Sequence, residues 1–107
     1  MKQMMPTELK AWLDDRGREP PLLLDVREPW EFSMCSIEGS LAMPMNSVPA
    51  RFRELDAGRQ VVVICHHGGR SMQVAMFLER QGFSQVINLA GGVAGWAAQV
   101  DSSMATY

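Results

Sequence analysis

Two cysteines, two histidines, one tyrosine and no apolar run longer than five residues are what this chain of 107 residues has least of. So few cysteines rule out a disulfide-stapled scaffold, and a chain of this length can bury a core without staples. The histidines, His66 and His67, are adjacent. Neighbouring side chains rarely turn toward one ion, and no other Cys/His set has ligand spacing, so no metal and no cofactor are expected. Without a long apolar run, neither a membrane span nor, at Met1–Pro6, a signal peptide is expected. Twelve acidic residues stand against ten basic ones, a net charge of −2, with no basic run and no aromatic–basic interleaving. Nucleic acid and membrane are not expected partners. A cytoplasmic protein with reduced thiols is the expectation.

What the chain does have is an alternation of strand and helix patterns. A weak first strand falls around Gln3-Met4. Thr7 can cap a helix over Glu8–Arg16, with Leu9, Trp12 and Leu13 on one face and Gly17 ending it. Pro20-Pro21 breaks any element, and Leu22–Val26 reads as a buried strand ending in charge. Glu28–Phe32 is a short helical turn, Ser40–Met43 a short strand, and Val48–Leu55 a helix. Val61–Ile64 is a β-branched run, Ser71–Gln81 a helix stopped by Gly82, Val86–Leu89 a strand, and Val93–Val100 the last helix. The remainder, Asp101–Tyr107, has no pattern and is expected to be a flexible tail beyond a single domain over residues 1–100. The fold class is α/β, a five-stranded, mainly parallel sheet flanked by helices on both faces. Ligands in such folds bind outside the carboxyl ends of the strands, where Asp25, Arg27 and Cys65 fall.

The segment Cys65-His66-His67-Gly68-Gly69-Arg70-Ser71 joins a buried strand to a helix. A thiol at such a tip can be a nucleophile, because backbone N–H groups and the positive helix end stabilise charge on sulfur. Gly68 and Gly69 can take positive φ and bring amides close to the sulfur. Arg70 offers a cation to an anionic substrate, and Ser71 suits a helix N-cap. His66 and His67 are expected to line the pocket mouth and add pH-dependent charge. Asp25 and Arg27, two apart, either pin the rim as an ion pair or support substrate binding. Cys35 is a remote candidate for an internal disulfide with Cys65, although no Cys-x-x-Cys spacing supports it. The nucleophile reading requires a thiol that solvent reaches and loop amides turned toward it.

Four segments in order resemble a single-domain rhodanese, of the sulfurtransferase family, over roughly Met5–Val100. They are Leu24-Asp25-Val26-Arg27-Glu28-Pro29-Trp30-Glu31-Phe32, Ile37-Glu38-Gly39-Ser40, the Cys65–Ser71 loop, and Leu89-Ala90-Gly91-Gly92-Val93-Ala94-Gly95-Trp96. The chain departs from the family in having Cys35-Ser36 where Gly-His usually precedes the isoleucine. The resemblance implies a rhodanese fold and a double displacement. Cys65 takes a sulfane sulfur from thiosulfate or a low-molecular-weight persulfide, and the Cys65 persulfide passes it to a thiol, small or protein-borne, or to cyanide. His66, His67, Gly68, Gly69, Arg70 and Ser71 would bind substrate, with Asp25 and Arg27 supporting. The alternatives are a non-catalytic or sulfur-carrier module of the same fold, and a cysteine phosphatase or arsenate reductase. Those last enzymes place five residues between cysteine and arginine; here there are four, His66 to Gly69, a tighter ring that suits one sulfur atom.

Overall fold

The computed structural model describes all 107 residues. Five strands, β1 (Lys2–Met4), β2 (Leu22–Asp25), β3 (Leu41–Ala42), β4 (Val61–Ile64) and β5 (Val86–Leu89), form one sheet in the order β1-β5-β4-β2-β3. Every pairing is parallel, so the α/β architecture read from the sequence holds, including the weak first strand, which pairs Lys2 with Ile87. The helices are α1 (Pro6–Asp14), α2 (Pro29–Met34), α3 (Val48–Arg51), α4 (Gly69–Arg80) and α5 (Gly92–Gln99). None is long and apolar enough to cross a membrane.

The central strand explains the layout. All four residues of β4 are fully buried, as a β-branched run covered on both faces should be. Side chains alternate along a strand, so Val61 and Val63 point to one face and Val62 and Ile64 to the other. The first pair joins a cluster with Val48 of α3 and Val74, Ala75 and Leu78 of α4. The second joins Leu9 and Trp12 of α1 and Val93 and Trp96 of α5. Cys65 continues the first set. The strand period thus aims its side chain at the layer that holds α4.

Several boundaries move, each for a local reason. Helix α1 starts at Pro6, not after Thr7: proline is pre-organised for a first helical position, and the Met5 amide donates to the Glu8 side chain at 3.1 Å. Helix α4 starts two residues before Ser71, because Gly68 takes φ +107° and lets the helix begin inside the loop. The expected helix over Val48–Leu55 is shorter, its last turn tightening to 3₁₀ at Phe52–Glu54, a common form of ending. No helix or strand forms in residues 101–107. Side chains nevertheless place this segment: Met104 packs on the α1–α5 cluster, and Tyr107 reaches Arg27 and Glu31.

Candidate active site at the tip of the central strand

The parallel register sets Asp25 level with Ile64 and Val63 level with Asn88, so β2, β4 and β5 end at one rim. There the Cys65 Sγ lies 3.0 Å from the Gly68 amide, which donates to it, and 3.3 Å from the Ser71 hydroxyl. The loop's shape follows from where its carbonyls go. The Cys65 and His66 carbonyls accept hydrogen bonds from the Val93 and Ala94 amides, at 2.9 and 3.1 Å, in the first turn of α5. Gly92 makes that approach possible: its φ is +57°, and a Cβ there would overlap both carbonyl oxygens. With these carbonyls tied to α5, the loop closes against α4. The amides of His67, Gly69 and Arg70 have no acceptor within the chain.

Ser71 is not the N-cap; that position belongs to Gly68, and the Ser71 hydroxyl donates a short hydrogen bond to Asn88 Oδ1. The Asn88 amide donates in turn to Gln3 Oε1 at 2.9 Å and to the Gly68 carbonyl at 3.2 Å. A buried asparagine amid Val86-Ile87 and Leu89 thus ties the loop to β5 and β1. Its only sequence signal is a polar residue inside a buried strand pattern.

Both arginines at the rim face carboxylates. The Arg27 and Asp25 side chains are fully buried, with Arg27 Nη2 at 2.7 Å from Asp25 Oδ2. The rest of that guanidinium donates to the Glu31 and Cys35 carbonyls and to the Tyr107 hydroxyl. Burial opposes its charge, and the bonds from Asp25 and Tyr107 more than restore it, so Arg27 stays protonated. Arg70, by contrast, does not stand as a free cation: its Nη1 and Nη2 grip Glu31 Oε1 and Oε2 at 2.7 and 2.9 Å. That grip pulls the Glu31 carboxyl down from 4.5 to about 2 against a desolvation cost. Glu31, 39 positions from Arg70, is a site residue that sequence reasoning did not single out.

Tyr107 was missed as well. Its hydroxyl accepts from Arg27 Nη1 at 3.0 Å and donates to Glu31 Oε2 at 2.7 Å, and burial raises its pKa to about 12. Its ring stacks on His66, centroids 3.9 Å apart, and meets Trp30 edge-on at 5.5 Å. His66 also lies against His67, centroids 3.9 Å apart with the rings tilted by 30°. Burial, with His67 alongside, lowers the His66 pKa, so His66 takes on its share of the expected pH-dependent charge only at lower pH than a free histidine. Cys35, His66, His67 and Tyr107 line a cavity of about 100 Å³ beside the loop. Both cysteines are free. The Cys65 residue is only 1% exposed, whereas the nucleophile reading asked for an open thiol. The loop closes on the sulfur instead of presenting it.

A family model described as Rhodanese-like domain matches residues 5–99. The chain belongs to the rhodanese-like family. A sulfurtransferase of Allochromatium vinosum is 40% identical to this rhodanese-like chain over 79 residues, 74% of each protein. The thiosulfate sulfurtransferase GlpE of Pseudomonas syringae is 35% identical over 95 residues, 89% of this chain and 86% of that one. A crystal structure from Staphylococcus saprophyticus superposes with a TM-score of 0.85 at 33% identity, covering 94% of this chain and 97% of its own. The rhodanese-like chain also spans between 26% and 43% of the length of several longer relatives.

Proposed function

We propose that this domain is a sulfurtransferase working through a persulfide on Cys65. The observation that carries the reading is the Cys65 sulfur at the end of β4, receiving the Gly68 amide at the start of α4. In the first half-reaction the Cys65 thiolate attacks the outer sulfur of thiosulfate or a low-molecular-weight persulfide. A bond forms to that sulfur, and sulfite or the donor thiolate leaves with the electron pair. In the second, an acceptor thiolate or cyanide attacks the outer sulfur of the Cys65 persulfide and Cys65 leaves as thiolate. No external oxidant or reductant is needed. The persulfide extends the side chain by about 2 Å, and the unpaired amides of His67, Gly69 and Arg70 are free to receive its charge. Asn88 and Ser71 hold the floor; Asp25 and Arg27 hold the rim.

The buried sulfur requires the rim to open before a donor reaches it. His66 and His67 form one wall, and Tyr107 belongs to a segment whose backbone amides make no hydrogen bond after Met104. The same burial favours a second reading, a sulfur-carrier or non-catalytic module whose thiol is not turned over freely. Sulfur transfer to cyanide from thiosulfate and from a small persulfide, run beside p-nitrophenyl phosphate hydrolysis, separates the readings. Turnover in the wild type, lost in Cys65→Ser with folding intact, supports the enzyme. No turnover with either donor favours the carrier reading, and phosphate release alone would point to a phosphatase.

A further inference from the structure

The charge at the rim bears on which sulfur donor the site accepts. An inorganic donor such as thiosulfate is a dianion and needs net positive potential where it binds. Two arginines supply cations there, and each faces a carboxylate: Arg27 faces Asp25, and Arg70 faces Glu31. The formal sum over these four groups is zero. Glu31 cannot step aside easily, since it is 3% exposed and its oxygens also accept from the Glu28 amide at 3.0 Å and the Tyr107 hydroxyl at 2.7 Å. His66, whose ring lies against His67 and Tyr107, is held toward its neutral form by burial and compensates little.

A second observation concerns what the rim offers instead. The row of rings His67–His66–Tyr107 continues to Trp30, a residue 59% exposed. Flat, partly exposed rings at the edge of the Cys65–Ser71 loop suit the organic group of a donor better than a sulfonate.

We propose that Glu31 is a specificity-determining residue: by occupying Arg70 it tunes the Cys65 site to organic sulfane donors of at most one negative charge, and against inorganic dianions. This rests on sulfur transfer by Cys65 and deepens it. The chemistry is the same for both donor classes. Cys65 forms a bond to the sulfane sulfur, and the donor's own bond to that sulfur breaks, releasing a thiolate or sulfinate from an organic donor and sulfite from thiosulfate.

Methanethiosulfonate and thiosulfate make a matched pair, one charge against two around the same kind of transferable sulfur. Their second-order rate constants for loading Cys65 are to be measured by mass spectrometry at fixed ionic strength, in the wild type and in Glu31→Gln. The wild type is expected to prefer methanethiosulfonate. Glu31→Gln removes one negative charge, which a dianion feels twice as strongly as a monoanion, so the preference is expected to shrink about fivefold. An unchanged ratio would overturn the proposal. Should Glu31→Gln fail to fold, the wild type still decides. With the four rim charges cancelling, nothing offsets the repulsion between the Cys65 thiolate and a dianion. The thiosulfate rate constant is therefore expected to stay level or rise with salt, and a steep fall with salt would overturn the proposal. Failure of both donors to load wild-type Cys65 would instead overturn sulfur transfer itself.

Discussion

Two arginine–carboxylate pairs sit at one rim and differ in almost everything except chemistry. Arg27 and Asp25 are two residues apart, both side chains fully buried, and the guanidinium's remaining donors go to two carbonyls and a phenol. Arg70 and Glu31 are 39 residues apart; the Arg70 side chain is 37% exposed and Glu31 only 4%. A buried pair gains little over an apolar isostere, yet breaking it strands a charge. The half-exposed pair costs less to break, and its Arg70 belongs to the Cys65–Ser71 loop, where in the proposed function its charge balance would affect a ligand. In that function, burial and not residue type separates the ion pair that holds the rim from the one that would tune the Cys65 site.

The largest effect should come from the buried pair. Arg27→Ala leaves Asp25 without its cation and is expected to cost about 3–5 kcal/mol, read by urea unfolding; a loss below about 1 kcal/mol would erase the distinction. Arg70→Ala should cost less, about 1–2 kcal/mol, because Glu31 keeps the Tyr107 and Glu28 donors. Equal losses in the two variants would break the comparison.

Acid titration sharpens the second pair. Glu31 has its pKa depressed to about 2 in the folded protein, so its contribution is present above its unfolded value and vanishes as pH falls through the folded one. Stability should therefore drop by roughly 2 kcal/mol between about pH 4.5 and pH 2, the partial exposure of Arg70 reducing the full shift. Arg70→Ala should flatten that drop, and an identical acid profile in the variant would contradict it.

The smallest effect belongs to Tyr107, which bridges both pairs. Tyr107→Phe should cost about 1 kcal/mol. As the only tyrosine, it reports its own ionisation by ultraviolet absorbance, with a midpoint expected near pH 12. Because that pKa is raised, the contact's contribution is complete below pH 10 and fades as pH climbs through the folded midpoint. A midpoint at 10 would mean that the phenol is not held as described.

Much of this was legible in the sequence because strand and helix periods are local signals. Val61–Ile64 reads as a doubly buried strand, and the period that buries it also aims Cys65 at the α4 layer. The two-residue spacing of Asp25 and Arg27 suggests a shared face. What stayed hidden depends on contacts between distant positions. Glu31 meets Arg70 across 39 residues, and Tyr107 meets Glu31 across 76, so no window along the chain contains either pair. Ser71 looks like a cap because serine favours caps, but Gly68's left-handed backbone starts the helix earlier and sends the hydroxyl to Asn88. The burial of Cys65 is a property of the closed loop, and composition carries no trace of it.

The most direct test of the account is the mass of the intact protein after brief treatment with a sulfane donor. Sulfur transfer through the strand-tip thiol predicts the mass of one added sulfur atom, mapped to the peptide containing Cys65, and its loss on adding cyanide or a thiol. An unmodified Cys65 under those conditions, or sulfur carried only on Cys35, would contradict it.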